Sequence, residues 1–241
     1  MKWKTGISDK KDGEVFVRGR ALGDLIREYS FSEAAFLLFK GVLPVENEKK
    51  LFDAMLVSCI EHGIEPPSAF VPRVSVSVGN PMNAAIAAGM LAIGDWHGGA
   101  IEQAAFLFGR EKSAEEIVGQ TISRGGRFPG FGHKVYKDKD PRAELLIEKA
   151  EALGLSGAFV KKARQCGEEL AKQTGKKLPL NIDGAIAALM LELGFDWRLG
   201  KAIFALGRMP GMIAHIHEEM VNEKPYRRLD SEDVEYVGKP V

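Results

Sequence analysis

The sequence predicts an all-α fold with a minor N-terminal β-hairpin. Helix-start signatures recur along the chain, and apolar residues repeat at three- and four-residue steps between them. Strand signal gathers in one short stretch near the N-terminus. In chain order, Lys11-Asp12-Gly13 ahead of Glu14-Val15-Phe16-Val17-Arg18 predicts a short hairpin with residues near Ile7. Ser30 followed by Glu33 is a capping box, in which each side chain accepts from the other's backbone N–H, and Gly41 with Pro44 stops that helix. Leu51, Phe52, Met55, Leu56, Cys59 and Ile60 share one helical face, which predicts a helix over residues 47–62 ended by Gly63 and Pro66-Pro67. Residues 74–78 alternate valine with serine as a strand would, but no neighbouring segment offers a partner. Residues 83–93 are mostly alanine and glycine, a helix stable only when packed closely on a neighbour. Ser113 with Glu116 is a second capping box. Asp140-Pro141 is an N-cap and first-turn pair opening a helix over 142–153, and helices over 184–193 and 198–220 complete the series. Residues 153–177 are more polar and carry four glycines. With its flanks this stretch reads as a small helical lobe, 126–177, between the two parts of a large helical domain, 1–125 and 178–241.

The 241 residues are 45% apolar and 27% charged, with 33 lysines and arginines balancing 33 aspartates and glutamates. Zero net charge disfavours a global polycation, so nucleic acid and anionic membranes are not expected partners. No run of about 18 apolar residues is present to span a bilayer, and Met1-Lys2-Trp3-Lys4-Thr5-Gly6 does not open a signal peptide. Cys59 and Cys166 lack metal-ligand spacing, which points to a reducing, cytoplasmic setting.

Histidine and glycine patterns carry the chemistry. His62 stands where its predicted helix ends, so the carbonyl end of the dipole favours a cationic, anion-binding imidazole. His97 lies in Gly94-Asp95-Trp96-His97-Gly98-Gly99, and His133 in Gly130-Phe131-Gly132-His133-Lys134-Val135-Tyr136, where glycines let a ligand approach closely. Arg124, Arg127, Lys134, Lys137 and Lys139 face only Asp138 along that stretch. Cations interleaved with glycine N–H groups suit a phosphate-bearing polyanion, although no P-loop or dinucleotide fingerprint occurs. Asp183 stands where an apolar stretch turns into a helix and reads as its N-cap. Arg208 sits in an apolar helix and needs a carboxylate, from the protein or from a ligand. His215 and His217 are two apart, on opposite helix faces, so no metal site is expected.

The segment from Gly130 through His133 to Asp140-Pro141-Arg142 resembles the signature of the citrate synthase family. Trp96-His97-Gly98-Gly99-Ala100 resembles its second histidine motif, and Asn181-Ile182-Asp183-Gly184 its aspartate motif. Gly207-Arg208 and Tyr226-Arg227-Arg228 fall where the family keeps citrate-binding arginines. Within the family the chain looks most like citryl-CoA lyases and the C-terminal module of ATP-citrate lyase, through Ile93-Gly94-Asp95, Glu61-His62-Gly63 and the tail Asp233-Val234-Glu235-Tyr236-Val237. His97 is a synthase-like choice, and the segment after His62 departs from the synthases' His-Glu-x-Asn-Ala-Ser.

The resemblance implies a citrate synthase-like helical fold and reversible cleavage of citryl-CoA to acetyl-CoA and oxaloacetate. It gives His97, His133 and Asp183 the catalytic roles, and His62, Arg142, Arg208 and Arg227 or Arg228, one of these last from a neighbouring subunit, the citrate or oxaloacetate carboxylates. Arg124, Gly130, Phe131, Lys134, Lys176 and Lys177 are the candidates for coenzyme A. A helix start suits Asp183 as a base, whereas burial beside a thioester suits it as an acid. No cofactor is implied beyond the coenzyme A of the substrate. A homodimer or homotetramer is expected, as is a separate citryl-CoA synthetase. The alternatives are a citrate or 2-methylcitrate synthase, and a non-catalytic member that binds CoA or citrate.

Overall fold

The computed structural model describes residues 2–239. Its three-stranded antiparallel sheet takes β1 (Ser8–Lys11), β2 (Glu14–Val17) and β3 (Arg20–Ala21) in that order. Lys11 pairs with Glu14 across Asp12 and Gly13, both at positive φ, as a tight two-residue turn of strand-matching twist requires. The third strand was not foreseen, since two residues leave no periodic signal. Helices follow: α1 (Leu22–Glu28), α2 (Phe31–Lys40), α3 (Glu46–Ser58), α4 (Pro67–Ser77), α5 (Met82–Leu91), α6 (Ala100–Phe108), α7 (Ala114–Ser123), α8 (Pro141–Ala152), α9 (Ala158–Thr174), α10 (Ile182–Glu192) and α11 (Gly200–Asn222). The all-α expectation holds.

Both capping boxes form. Glu33 accepts from the Ser30 N–H at 2.8 Å, Glu116 accepts from the Ser113 N–H at 3.0 Å, and each serine hydroxyl caps in return. Two elements differ from expectation. Helix α3 stops at Ser58, four residues early, because the Cys59 N–H turns back to Leu56 and Val57. Residues 74–77 belong to α4 and Val78 is its C-cap, so the stretch is no strand. Pro67 opens that helix at a position where the missing N–H costs nothing, and its buried residues recur at helical spacing as Ser68, Ala69, Pro72, Arg73 and Val76.

The chain divides into two compact units, Met1–Cys59 with Gly98–Gly207, and Ile60–His97 with Arg208–Val241. Residues 126–177, read from sequence as a lobe, all fall within the first. There α10 is the central helix. Ala185, Ile186, Ala187, Ala188, Leu189 and Met190 are all fully buried, because α6, α8 and α9 pack around it. Phe36, Phe52 and Phe195 meet at centroid distances of 4.9 to 5.6 Å, each such pair contributing about 0.5–1.5 kcal/mol beyond its area. Helix α9 begins at a glycine and has no cap of its own. Instead Glu192 Oε1 accepts from the N–H groups of Gly157, Phe159 and Val160 at 2.8 to 2.9 Å.

In the second unit α4 and α5 pack as a pair, and Val76 and Ala85 share a core with Met212 and Ile216 of α11. The Ala/Gly composition of α5 serves that packing: a Cβ on Gly89 would come within 2.6 Å of Met212 Sδ. Charge is buried here as well. Arg73 meets Glu219 at 2.7 Å, and both are nearly inaccessible.

Candidate functional site

In the first unit the residues of the signature segment lie against the start of α10. The Gly130 carbonyl accepts from the Asn181 N–H at 3.0 Å, and the Gly132 N–H donates to Pro179 at 2.8 Å. The Asn181 side chain donates to the Gly132 carbonyl at 2.9 Å and caps α10 by accepting from the Gly184 N–H at 3.1 Å. Glycine is required at both contact points. Gly130 has φ +84°, and a Cβ on Gly184 would sit 2.3 Å from the Gly130 oxygen. Asn181 is therefore the N-cap that the sequence reading gave to Asp183. Asp183 takes a place in the first helical turn, half-buried, where the helix dipole favours a carboxylate.

His133 Nδ1 accepts from two backbone N–H groups, Val135 at 3.1 Å and Tyr136 at 3.2 Å. The ring's other nitrogen, Nε2, lies 3.3 Å from Arg142 Nη2, a group that can only donate. The ring also stacks on Tyr136 at 4.7 Å. Arg142 is held by Asp140, whose carboxylate accepts from Nε at 3.0 Å and Nη2 at 2.8 Å. Burial pushes Asp140 up, but the Arg142 guanidinium and the backbone N–H groups of Arg142 and Ile182 outweigh it and hold the carboxyl below its ordinary value.

In the second unit His97 closes a tight turn with reciprocal backbone hydrogen bonds to Gly94, at 2.9 and 3.0 Å, that leaves Trp96 almost wholly exposed at its tip. Its Nε2 lies 2.8 Å from the hydroxyl of Ser68, a fully buried residue in the first turn of α4. Burial pushes the His97 imidazole below its ordinary value, and the positive fields of Arg208 and His62 act in the same direction. His97, Ser68, Arg208 and His62 thus belong to one neighbourhood. Arg208 is buried in α11. His62 lies in an exposed loop beyond the end of α3, which corrects the helix-terminus expectation. Glu61 accepts from the His62 N–H at 2.7 Å and meets His215 at 3.2 Å.

Both C-terminal arginines are exposed, and Arg227 donates to Glu219 at 2.7 and 2.9 Å. Of the coenzyme A candidates, Lys134, Lys176 and Lys177 are exposed, and Arg124 lines a cavity of about 400 Å³ with Arg127, Phe106 and Trp197. The Phe131 ring contacts Phe108 and Phe128, so this residue offers a ligand mainly its backbone. Among the described residues no group of three or more His, Cys, Asp or Glu could hold a metal, and no helix is long and apolar enough to cross a membrane. Ser68 and the Asp140–Ile182 link were missed in the sequence: a serine after two prolines carries no pattern, and Asp140 read only as a cap.

Residues 44–229 match the family model described as the citrate synthase C-terminal domain. Citryl-CoA lyase from Hydrogenobacter thermophilus superposes with a TM-score of 0.95 at 48% identity, covering 99% of this chain and 96% of that one. ATP citrate lyase from Methanothrix soehngenii, solved in complex with citrate and coenzyme A, gives 0.85 at 29% identity, covering 100% of this chain and 42% of that one. "Citrate synthase 2" of Bacillus subtilis is 32% identical over 205 residues, 83% of this chain and 55% of its own. The chain spans about half the length of the curated relatives it matches. With signature loop, aspartate helix and histidine turn in the family's order, the chain belongs to the citrate synthase family.

Proposed function

We propose that the protein is a citryl-CoA lyase, cleaving citryl-CoA to acetyl-CoA and oxaloacetate. The observation that carries this reading is the superposition on a citryl-CoA lyase with a TM-score of 0.95 at 48% identity, against 32% identity to a relative named citrate synthase. Arg142, Arg208 and His62 bind the carboxylates of the oxaloacetate half, and an arginine of the 227–228 pair from a second subunit adds to them. The citryl hydroxyl loses its proton as the carbon–carbon bond breaks and that carbon becomes the ketone of oxaloacetate. With Nδ1 accepting from the backbone, His133 takes that proton on Nε2. The bond electrons pass to the thioester, whose enolate oxygen takes a hydrogen bond from His97, and Asp183, in its protonated form, delivers a proton to the terminal carbon. A neutral His97 suits this part, because its lowered proton affinity keeps it a hydrogen-bond donor rather than a cation. Arg124, Lys134, Lys176, Lys177 and the backbone at Gly130 and Phe131 hold coenzyme A. The protein works as a homodimer or homotetramer in the cytoplasm and needs no cofactor, and a separate synthetase supplies its citryl-CoA.

The likeness to relatives named citrate synthase favours a second reading, in which His133 donates a proton to the oxaloacetate ketone during condensation. Two assays separate the readings. Citryl-CoA is supplied and acetyl-CoA with oxaloacetate measured. Separately, acetyl-CoA and oxaloacetate are supplied and released thiol measured. Faster cleavage is expected, faster thiol release identifies a synthase, and silence in both identifies a binding protein.

A further inference from the structure

We propose that Asp140 is a positioning residue that joins Arg142 to the helix start carrying Asp183, so that carboxylate binding and proton transfer are aligned by one buried group. This rests on the roles given above to Arg142 and Asp183. Asp140 is completely inaccessible. Its Oδ1 accepts from the backbone N–H of Arg142 at 3.1 Å and from Nε of the same residue at 3.0 Å. Its Oδ2 accepts from Arg142 Nη2 at 2.8 Å and from the Ile182 N–H at 3.0 Å. Two oxygens thus serve four donors on two segments about forty residues apart in sequence.

The geometry exceeds what capping needs. A cap takes a single backbone N–H, and the Arg142 N–H alone would close α8. The fork-to-fork pairing sets the plane of the guanidinium. The Ile182 bond fixes the Asn181–Ile182 peptide, one residue ahead of Asp183.

Asp140→Asn tests the proposal. An amide keeps the volume but replaces one acceptor oxygen with a donor, so either the Arg142 fork or the Ile182 N–H faces another N–H. The measurements are oxaloacetate and coenzyme A affinities by calorimetry, kcat, and the unfolding midpoint. Oxaloacetate affinity and kcat are expected to fall together, each by about a hundredfold for an ångström-scale misplacement, with coenzyme A affinity unchanged. Added to Arg142→Lys, the substitution is expected to have little further effect on oxaloacetate affinity. Unchanged oxaloacetate affinity, or equal losses for both ligands tracking a lower unfolding midpoint, overturns the positioning role and leaves the functional reading intact. A parent protein that binds no oxaloacetate and turns over neither substrate pair sinks both.

Discussion

The hydroxyl of Ser68 lies 2.8 Å from Nε2 of His97. A buried hydroxyl with an imidazole partner sets the ring's orientation, and one ring nitrogen is thereby committed to the protein. Ser68→Ala removes that partner without adding volume. It is expected to lower kcat about tenfold or more through a loosened His97 while oxaloacetate affinity holds. Steady-state kinetics beside calorimetry check this, and an unchanged kcat would detach Ser68 from the chemistry.

His97 also predicts how stability responds to acid. Its proton affinity is lowered from 6.5 on folding, so below that pH the unfolded chain takes up a proton that the folded chain resists. The corresponding stability is complete above pH 6.5 and drains away as pH falls through the lower folded value. In denaturant titrations, the parent should lose more stability across this descent than His97→Asn. Identical slopes would contradict the environment assigned to the ring.

Asp183→Ala should abolish turnover, about a thousandfold or more, as expected for a proton-transfer group. Citrate binding should remain measurable by calorimetry, because the carboxylate contacts are assigned to arginines and His62. Turnover at the parent rate removes the aspartate from the mechanism.

Burial of Arg73 with Glu219 makes the pair fragile. Arg227's hydrogen bonds, with those of Arg73 behind them, outweigh burial and hold Glu219 below its ordinary value. Glu219→Ala leaves Arg73 buried without its buried carboxylate partner and should destabilise the protein by about 3–5 kcal/mol. Arg228→Ala, at an exposed position, should leave the denaturation midpoint where it was.

Cys166 should be chemically silent. Burial pushes its thiol up to about 12, so the native protein at mildly alkaline pH has almost no thiolate there to alkylate. Mass spectrometry after iodoacetamide treatment should find Cys166 modified only once denaturant is added.

The features legible in the sequence were those with local causes. Ser30 with Glu33, Ser113 with Glu116 and Asp140 with Pro141 each start a helix through contacts within four residues. The hairpin at Asp12-Gly13 is equally local. What escaped depends on distant partners. The valine–serine alternation over 74–78 looked like a strand because nothing nearby shows that Arg73 must turn inward to Glu219. His62 was placed at a helix end because the apolar spacing runs past Ser58, where the helix stops. At the site, the family motifs named His97, His133 and Asp183, while Ser68 and the second grip of Asp140 became visible only across 29 and 42 residues of chain.

The borrowed cap of α9 bears on how the chain is made. Glu192 reaches the N–H groups of Gly157, Phe159 and Val160 from 32 to 35 residues downstream. During synthesis α9 leaves the ribosome before the carboxylate that will seal its first turn exists. Its opening residues fray until α10 emerges and docks, which makes the arrival of Glu192 the moment at which these two helices lock as one.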